Sequence, residues 1–337
     1  MRIAIVGAGL SGLICARELQ ARGHHVTLYE KSHATSGRMS TRHTELGGFD
    51  HGAQYFTVSS AALRKDVAAW RAAGVVASWQ GKFVTLDHGK TAPAGQGGAG
   101  RTSTERLVGV PGMRALGEYL ATDLDVRLGQ RVAGVEHDKG GWLLNVHAET
   151  VPIAATAGPF DALVLALPAD QAAPLLGVDA EMAAAAAFAR LAPCWSLLLA
   201  FQESLGLGYD GAWVSNSRLA WLAHDASKPG RRPGEHWIGH ASAAWSLEHL
   251  EDDPERVREK LLKAFHEATG SAMQPVYASV HRWRYSQATQ PLPSACLWNP
   301  TLRIGACGDW FSAGLSGGGR VENAYLSGLA LAHTLAP

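Results

Sequence analysis

Cysteine is scarce in this sequence, and its four cysteines lie far apart. Cys15, Cys194, Cys296 and Cys307 form no C-x-x-C pair, so neither a zinc site nor a dithiol redox centre is expected. No run of about 18 apolar residues occurs, which argues against a spanning helix. The apolar start at residues 3–6 is too short for a signal peptide. We therefore expect a protein of the reducing cytoplasm, with no metal and no membrane partner.

The sequence also lacks a surplus of charge of either sign. Thirty Lys and Arg residues balance thirty Asp and Glu residues. A nucleic-acid-binding protein should carry a basic face, so no nucleic-acid partner is expected. Hydrophobic residues make up 47% of the 337 positions, as in an ordinary globular enzyme. This length fits two domains, or one domain interrupted by another.

The first thirty residues carry a dinucleotide-binding pattern. Residues 2–6 have the composition of a buried parallel strand, residues 10–22 show helical spacing, and residues 26–29 form a second strand. Gly7 permits the tight turn between strand and helix, and Gly9 lets the backbone approach a pyrophosphate. Gly12 lets the helix pack closely on the strand. The pattern predicts a Rossmann-type unit.

The start of this helix and the acid after the second strand predict the ligand. Leu10 and Ser11 open the helix, whose free N–H groups and positive dipole end favour phosphate. Glu30 follows the second strand, where a carboxylate accepts hydrogen bonds from ribose hydroxyls. An acid there disfavours a 2′-phosphate, so FAD or NAD is expected rather than NADP. The alternative is a glycine-rich turn without a ligand.

Residues 30–41 distinguish FAD from NAD through a resemblance. Glu30 and Lys31, followed by Gly37-Arg38-Met39-Ser40-Thr41, are similar to the second FAD fingerprint of the flavin amine oxidase superfamily. In that superfamily a loop arginine lies beside the pyrophosphate. The resemblance implies this role for Arg38 and places Lys31, Gly37 and Met39 in the cofactor site.

Two further segments resemble the same superfamily. The stretch FDHGAQYFT (residues 49–57) is similar to the segment that passes the flavin ring, and it supplies Gly52, Ala53, Gln54 and Tyr55. Small residues are expected there because the backbone must approach the isoalloxazine. Near the other end, a strand at residues 304–306 leads to Gly308 and Asp309, which the resemblance assigns to ribityl or pyrophosphate oxygens.

A helix from about Val321 follows this strand and a glycine-rich loop. In the superfamily this helix directs its positive dipole end at the flavin. The resemblance implies cofactor contacts from four residues at its start: Arg320, Val321, Glu322 and Ala324. Two departures are the insert at residues 311–318 and Asn323, which stands where a glycine is usual.

The motifs GRMSTR, DHGAQYFT, HRWRY (residues 281–285) and GDW…GRVENAYLSG together resemble one branch, the renalase-like proteins, over nearly the whole chain. The implied fold is α/β, a Rossmann-type FAD-binding domain with an inserted substrate domain of mixed β-sheet and helices. The FAD-binding domain is predicted at residues 1–60, 105–170 and 292–337, and the substrate domain at 61–104 and 171–291. Val132, in a predicted hairpin at residues 128–146, resembles the residue whose backbone meets adenine.

The predicted substrate domain is β-rich at residues 191–247 and has an amphipathic helix at 252–270. Eight of the eleven tryptophans lie after residue 190, and a tryptophan-rich sheet facing a flavin would form an apolar slot for a flat ring. The resemblance suggests His240, Trp283, Tyr285 and Tyr55 as pocket residues. Core packing is the alternative for each tryptophan, and a satisfied strand histidine is the alternative for His240.

The resemblance implies a reaction for a non-covalently bound FAD. A hydride passes from a dihydropyridine, an isomeric form of NAD(P)H, to flavin N5, and O2 reoxidises the flavin to give H2O2. The expected partners are therefore a small nicotinamide-type substrate and O2. No general base is assigned, and the oligomeric state stays open.

Three alternatives remain. A flavin amine oxidase would show an aromatic sandwich and, in many relatives, a lysine near N5, but no lysine of this sequence is a clear candidate. Separately, the Gly and Pro residues at 228–234 predict an exposed turn. A carotenoid or porphyrinogen oxidase would need a long apolar tunnel or a membrane-docking surface. A dinucleotide-binding scaffold without turnover is the third alternative.

Overall fold

The structure is a computed structural model that describes residues 1–93, 105–148, 155–315 and 317–336. Parts of the sequence predictions lie outside the described residues. They are positions 94–104 of the predicted substrate segment, positions 149–154 and 337 of the FAD-binding segments, and position 316 of the insert.

The described ranges contain eight α-helices and twenty strands. The helices are α1 (Leu10–Ala21), α2 (Ala61–Ala72), α3 (Arg114–Ala121), α4 (Ala169–Leu175), α5 (Ala180–Phe188), α6 (Ala243–Glu248), α7 (Pro254–Thr269) and α8 (Val321–Leu335). The strands of the first half are β1 (Arg2–Val6), β2 (His25–Tyr29), β3 (Thr41–Thr44), β4 (Gly47–Asp50), β5 (Val76–Ser78), β6 (Phe83–Asp87), β7 (Lys90–Pro93), β8 (Leu107–Gly109), β9 (Asp125–Arg127), β10 (Gln130–Asp138) and β11 (Gly141–Ala148). Those of the second half are β12 (Ala155–Phe160), β13 (Ala162–Leu165), β14 (Arg190–Phe201), β15 (Gly211–Ser215), β16 (Leu219–His224), β17 (Glu235–Ala241), β18 (Tyr277–Gln290), β19 (Leu297–Asn299) and β20 (Ile304–Ala306).

A six-stranded, mostly parallel sheet has the order β19-β20-β13-β1-β2-β9. Its centre is β1, which is apolar and buried because it pairs in parallel with β13 and β2. Helices α1 and α8 pack against each other so tightly that a Cβ atom at Gly328 would lie 2.2 Å from the Ser11 carbonyl oxygen. The predicted Rossmann-type α/β fold is confirmed, with β1, β20 and the start of α8 at the predicted residues.

A seven-stranded sheet, in the order β18-β14-β17-β16-β15-β6-β7, lies in the second half of the chain apart from β6 and β7. Helix α7 covers one of its faces through Val257, Leu261 and Phe265. The predicted helix at 252–270 is confirmed: the Asp253 carboxylate caps its start, and Gly270, at φ +73°, ends it.

The prediction of a β-rich stretch at residues 191–247 is wrong at its end, where the chain forms α6. The Ser242 hydroxyl accepts a hydrogen bond from the Trp245 amide, which starts α6 immediately after β17. A third sheet, β10-β11-β12, is antiparallel, and its first two strands confirm the hairpin predicted around Val132.

The parallel sheet takes its strands from the predicted FAD-binding segments, and the seven-stranded sheet takes its strands from the predicted substrate segments. The domain limits themselves stay a prediction. Among the described residues, no helix combines the length and the apolar composition needed to cross a membrane.

Candidate cofactor and substrate site

The glycine turn after β1 combines two packing positions with one open position. A Cβ atom at Gly7, whose φ is +104°, would lie 2.4 Å from the Ala166 carbonyl oxygen, and one at Gly12 would lie 2.1 Å from the Gly7 carbonyl oxygen. A Cβ atom at Gly9 would meet nothing within 4 Å. The start of α1 also has no side-chain cap, which leaves amides of its first turn for an anion. This turn therefore suits a pyrophosphate beside Gly9, Leu10 and Ser11.

Glu30 closes this turn from the end of β2. Its buried carboxylate accepts hydrogen bonds from the Ala8 and Ser32 amides, each at 2.9 Å. A carboxylate has about four acceptor positions, so capacity remains for ribose hydroxyls. A cavity of about 560 Å³ lies alongside, with Lys31 and Arg131 in its lining. Val132, the next residue, is buried in β10.

The loop that carries Gly37, Arg38 and Met39 lies on the glycine turn. The Ser36 amide donates to the Ala8 carbonyl at 2.9 Å, and Gly37, at φ +53°, is close enough that its Cβ would lie 3.3 Å from Gly9 Cα. The Arg38 guanidinium binds both carboxylate oxygens of Asp309, at 2.6 and 2.8 Å. Two residues that the sequence placed separately at the cofactor thus form a bidentate ion pair.

The segment at residues 50–55 runs beside this loop. A Cβ atom at Gly52 would lie 1.9 Å from the Arg38 carbonyl oxygen, and the Ala53 amide donates to that oxygen at 2.9 Å. From the sequence, small residues are expected here so that a flavin can approach the backbone. In the structure the protein's own backbone already requires glycine at position 52.

The His51 carbonyl is a shared acceptor beneath this segment. It accepts from the Trp283 indole at 2.9 Å and the Ser196 hydroxyl at 2.6 Å, and it lies 3.3 Å from His240 Nε2. The Trp283 ring also stacks on the His51 ring, with centroids 5.2 Å apart. The structure therefore brings the predicted pocket residues His240 and Trp283 together, and it gives Trp283 a part in holding the segment in place.

A row of side chains crosses the face of the seven-stranded sheet below this segment. Strand register aligns Trp213 with Trp221, Trp221 with His240, His240 with Ser196, and Ser196 with His281. The Tyr55 ring lies 5.8 Å from the Trp221 ring. Tyr285 lies on β18 between Trp283 and Gln287, where the register with β14 is irregular, so strand alternation does not fix the face it occupies.

Burial lowers the pKa values of three histidines, two on this face and one in the segment above it. It lowers the pKa of His51 to about 3, with further lowering by His281 and Arg42. It lowers the pKa of His240 to about 4. It also lowers the pKa of His281 to about 4, aided by Arg42, whose guanidinium lies 3.0 Å from His281 Nδ1. All three imidazoles are therefore neutral at pH 7.

The exposed turn predicted at residues 228–234 is wrong at its first residue. Lys228 is 2% exposed, and its ammonium lies 2.5 Å from Asp225, 3.1 Å from the Gln54 side-chain oxygen and 3.3 Å from Asp50. Asp50 also pairs with Arg231. Gly and Pro marked the chain reversal here but carried no information about the acids that bury this lysine.

The buried carboxylates of Asp50 and Asp225 are balanced in charge by Lys228 and Arg231. Burial alone would raise the pKa of Asp50, but Lys228 and Arg231 lower it to about 2. Burial raises the pKa of Asp225 despite the attraction of Lys228. The three N–H donors of the lysine have three acceptors, so none remains for a substrate or cofactor.

The start of α8 carries the remaining predicted cofactor residues. The Glu322 carboxylate accepts from the Ser59 amide and hydroxyl and from the Ser60 amide, so it holds the start of α2. Burial disfavours its charge, but these hydrogen bonds outweigh that effect and lower its pKa. Arg320 is exposed at the N-cap, which has no side-chain cap, and Val321 and Ala324 are half-buried. The helix end itself thus stays available for an anion. The Gly308 amide donates to the Ser327 hydroxyl at 3.0 Å, and both Asp309 carboxylate oxygens are bound by Arg38.

The two departures from the superfamily pattern turn out to be connected. Asn323 is fully buried, and its side-chain amide donates to the Phe311, Ser312 and Gly317 carbonyls at 3.1, 2.9 and 3.2 Å. An asparagine therefore fastens the described part of the long loop onto α8.

The sequence profile described as a flavin containing amine oxidoreductase matches residues 83–336. The chain belongs to this family. A second profile, an NAD(P)-binding Rossmann-like domain, matches residues 5–70. By its description, this family consists of flavin-containing oxidoreductases.

Solved structures share this fold at low sequence identity. A proposed protoporphyrinogen oxidase from Exiguobacterium sp. 255-15 is 12% identical, with a TM-score of 0.75 over 99% of this chain and 98% of that chain. A putrescine oxidase bound to putrescine is 13% identical, with a TM-score of 0.70 over 99% of both chains. At these identities the likeness extends to the fold alone.

Two curated proteins are similar to this chain over one short segment. A 4,4'-diapophytoene desaturase of Staphylococcus haemolyticus is 48% identical over 52 residues, which are 15% of this chain and 10% of the desaturase. That of Staphylococcus aureus strain Newman is 40% identical over 52 residues, with the same coverage. The chain thus matches about a tenth of the length of these relatives.

Proposed function

We propose that the family's flavin is FAD, bound non-covalently between the glycine turn and the start of α8. The open space at Gly9 and the uncapped starts of α1 and α8 support this assignment. Glu30 would bind ribose hydroxyls, and Arg38 with Asp309 would meet pyrophosphate or ribityl oxygens. Bound FAD supplies a hydride acceptor at N5 and passes the electrons to O2, giving H2O2.

We infer that the substrate is a dihydropyridine, an isomeric form of NAD(P)H, as in renalase-like proteins. The observation that carries this inference is the lack of an effective base on the described sheet face. His51, His240 and His281 have pKa values of about 3 to 4, and Lys228 is fully engaged by its partners. Hydride loss from a dihydropyridine needs no base because it produces an aromatic ring.

The overall reaction consumes one dihydropyridine, one O2 and one proton, and yields one pyridinium and one H2O2. The side chains of this face would hold the substrate ring and exclude water from it. Tyr55 and Trp221 would provide flat apolar contact, and Tyr285 would extend the pocket along β18. His240 and Trp283 would fix the segment at residues 50–55 through the His51 carbonyl.

Product analysis tests this function. Chemically isomerised NADH, ordinary β-NADH and a panel of amines are incubated aerobically with the flavin-loaded protein, and H2O2 and β-NAD⁺ are quantified. We expect the isomers to give H2O2 and β-NAD⁺ in a one-to-one ratio, faster than any amine. H2O2 formed with amines and not with the isomers would contradict the proposal.

A flavin amine oxidase is the second candidate, and the Tyr55–Trp221 pair favours it because it provides two aromatic walls. Such an enzyme must oxidise an amine in its neutral form. A histidine with a pKa of about 4 accepts a proton poorly from an alkylammonium whose pKa is near that of lysine, about 10.4. The same product assay separates the two candidates.

A further inference from the structure

Arg106 is a buried arginine whose charge the described protein leaves unpaired. The residue is 9% exposed, and its Nε has no hydrogen-bond partner. Within the described part of the chain its side chain makes neither a hydrogen bond nor an ion pair. Three aromatic rings enclose the guanidinium, whose carbon lies 3.9 Å from the Phe83 centroid, 5.3 Å from Trp213 and 5.4 Å from Tyr55.

The position of Arg106 ties it to the candidate substrate site. It immediately precedes β8, and Leu107, the next residue, exchanges two backbone hydrogen bonds of 2.8 Å with Phe56. Arg106 therefore lies beside the segment that carries Tyr55. Trp213, which forms part of its aromatic enclosure, aligns with Trp221 on the face that also presents His240.

The charges around Arg106 cancel without it. Asp50 and Asp225 are matched by Lys228 and Arg231. The carboxylate of Glu105, its neighbour in sequence, turns to the surface and engages Arg71 and Ser78. None of these carboxylates pairs with Arg106.

A guanidinium in a residue only 9% exposed, with no anionic partner and with its Nε cut off from solvent, is energetically costly because arginine stays protonated at all physiological pH values. Aromatic faces offset part of this cost through cation–π attraction, but they use none of the five N–H donors. Those donors form a planar fork that matches the two oxygens of a carboxylate or phosphate. A bound anion would supply the missing partner.

We propose that Arg106 binds an anionic group of the substrate, a carboxylate or a phosphate, while the substrate's flat ring lies against Tyr55 and Trp221. This inference rests on the proposed function for the ring chemistry, because it assigns the subsite next to that ring. Substrates with an oxyanion attached to the ring or its nucleoside are therefore preferred over neutral ones.

Binding to the oxidised holoprotein tests the subsite without turnover. Nicotinate and nicotinamide, which share a ring and differ in charge, are titrated while the flavin absorption spectrum is followed. We expect nicotinate to bind more tightly than nicotinamide to the unmodified protein. Arg106→Gln should weaken nicotinate roughly 10- to 100-fold, as expected for hydrogen bonds to a charged group, and leave nicotinamide unchanged. Arg71→Gln, at a nearby arginine already engaged by Glu105, is the matched control and should change neither ligand.

Turnover distinguishes the two sources of the anion. Isomerised reduced nicotinamide mononucleotide carries a phosphate, and isomerised reduced nicotinamide riboside does not. If phosphate is the ligand, Arg106→Gln raises KM for the mononucleotide alone and leaves kcat unchanged. If carboxylate is the ligand, nicotinate inhibits the unmodified protein competitively, the variant escapes inhibition, and KM for the mononucleotide and the riboside changes equally.

A measurement of thermal stability with a second variant keeps the proposal testable if Arg106→Gln fails to fold. Arg106→Met removes the charge and keeps an apolar stem, so the unliganded holoprotein should retain or gain thermal stability and lose its stabilisation by nicotinate or inorganic phosphate. Equal anion affinity in the unmodified protein, Arg106→Gln and Arg106→Met overturns the subsite even if dihydropyridines are oxidised. Arg106-dependent anion binding in a protein that oxidises no dihydropyridine would instead overturn only the proposed function.

Discussion

Arg38 and Asp309, 271 positions apart, form a bidentate ion pair that joins the loop after β2 to the end of β20. Asp309 is nearly buried and Arg38 is about three-quarters buried, so water screens this pair less than a surface pair. The same guanidinium donates to the Ser286 carbonyl on β18 at 3.0 Å. One arginine thus connects the loop after β2 and the segment after β20 with β18, the edge strand of the seven-stranded sheet.

Replacing either member of this pair should destabilise the apoprotein and reduce its FAD content. We expect Arg38→Gln and Asp309→Asn each to lower the free energy of unfolding by about 1.5–3 kcal/mol, because each leaves a charged partner without its hydrogen bonds. The double variant should cost less than the sum. Urea unfolding measures the free energy of unfolding of each variant. The control is Arg127→Gln, from the exposed Arg127–Asp125 pair, which should change the free energy of unfolding by less than about 1 kcal/mol. Strict additivity of the two changes would argue against the pair.

Alanine at Gly9 should separate FAD binding from folding. Gly9 has φ −77° and open space around its Cβ position, so alanine is tolerated and the apoprotein should keep its stability within about 0.5–1 kcal/mol. The added methyl would occupy the predicted pyrophosphate space, and flavin absorbance of the purified protein should fall. Gly12→Ala is the contrasting variant: its methyl meets the Gly7 carbonyl, and it should cost about 1–3 kcal/mol or more. Full flavin content in Gly9→Ala would place the pyrophosphate elsewhere.

Lowering the pH should reduce the free energy of unfolding before the buried carboxylates become protonated. His51, His240 and His281 have folded-state pKa values of about 3 to 4, against an ordinary value of 6.5. The unfolded chain therefore binds more protons below about pH 6.5, and stability falls as pH drops towards 4. Each histidine contributes at most about 1.4 kcal/mol per pH unit.

Urea unfolding at pH 7 and pH 5 checks this dependence. His281→Gln should reduce the difference between the two values, because it removes one of the histidines that charge on unfolding. His88→Gln, at a side chain that is 74% exposed, should leave the difference unchanged. A free energy of unfolding that is equal at both pH values would contradict neutral burial of these imidazoles.

Asn323 should matter for the loop after β20. Asn323→Ala removes three hydrogen bonds to loop carbonyls, and we expect a loss of about 2–4 kcal/mol in the free energy of unfolding. Proteolysis should become faster within residues 311–318. Asn145→Ala, at an exposed position of β11, is the control and should change stability by about 0.5 kcal/mol or less. An unchanged cleavage pattern would show that the loop does not depend on this amide.

Local pattern accounts for the elements that the sequence predicted well. An apolar run ending at Gly7 identifies β1, and Asp253 with Gly270 brackets α7, because strand burial and helix caps act over a few neighbouring residues. The pairing of Arg38 with Asp309 could not be predicted in this way. Each residue matched a cofactor motif separately, and neither motif specifies what the side chain contacts across 271 positions.

The ionic features of the candidate site escaped prediction for the same reason. Lys228 lies in a segment rich in Gly and Pro, and its burial depends on Asp50, which comes from a distant hairpin. Arg106 follows positions outside the described residues, and its aromatic enclosure joins Tyr55, Phe83 and Trp213 from three separate segments. Such contacts depend on the tertiary fold, which no local period encodes.

Anaerobic titration of the flavin-loaded protein shows whether a dihydropyridine reduces the flavin. Isomerised NADH, β-NADH and amines are added separately without O2, and loss of the oxidised flavin absorbance is followed. We expect rapid bleaching by the minor NADH isomers, with one equivalent sufficient for each flavin, and slow or no bleaching by the other compounds. Bleaching by an amine alone, or by none of the compounds, would contradict this expectation and leave a flavin-binding fold of the amine oxidoreductase family without the proposed reaction.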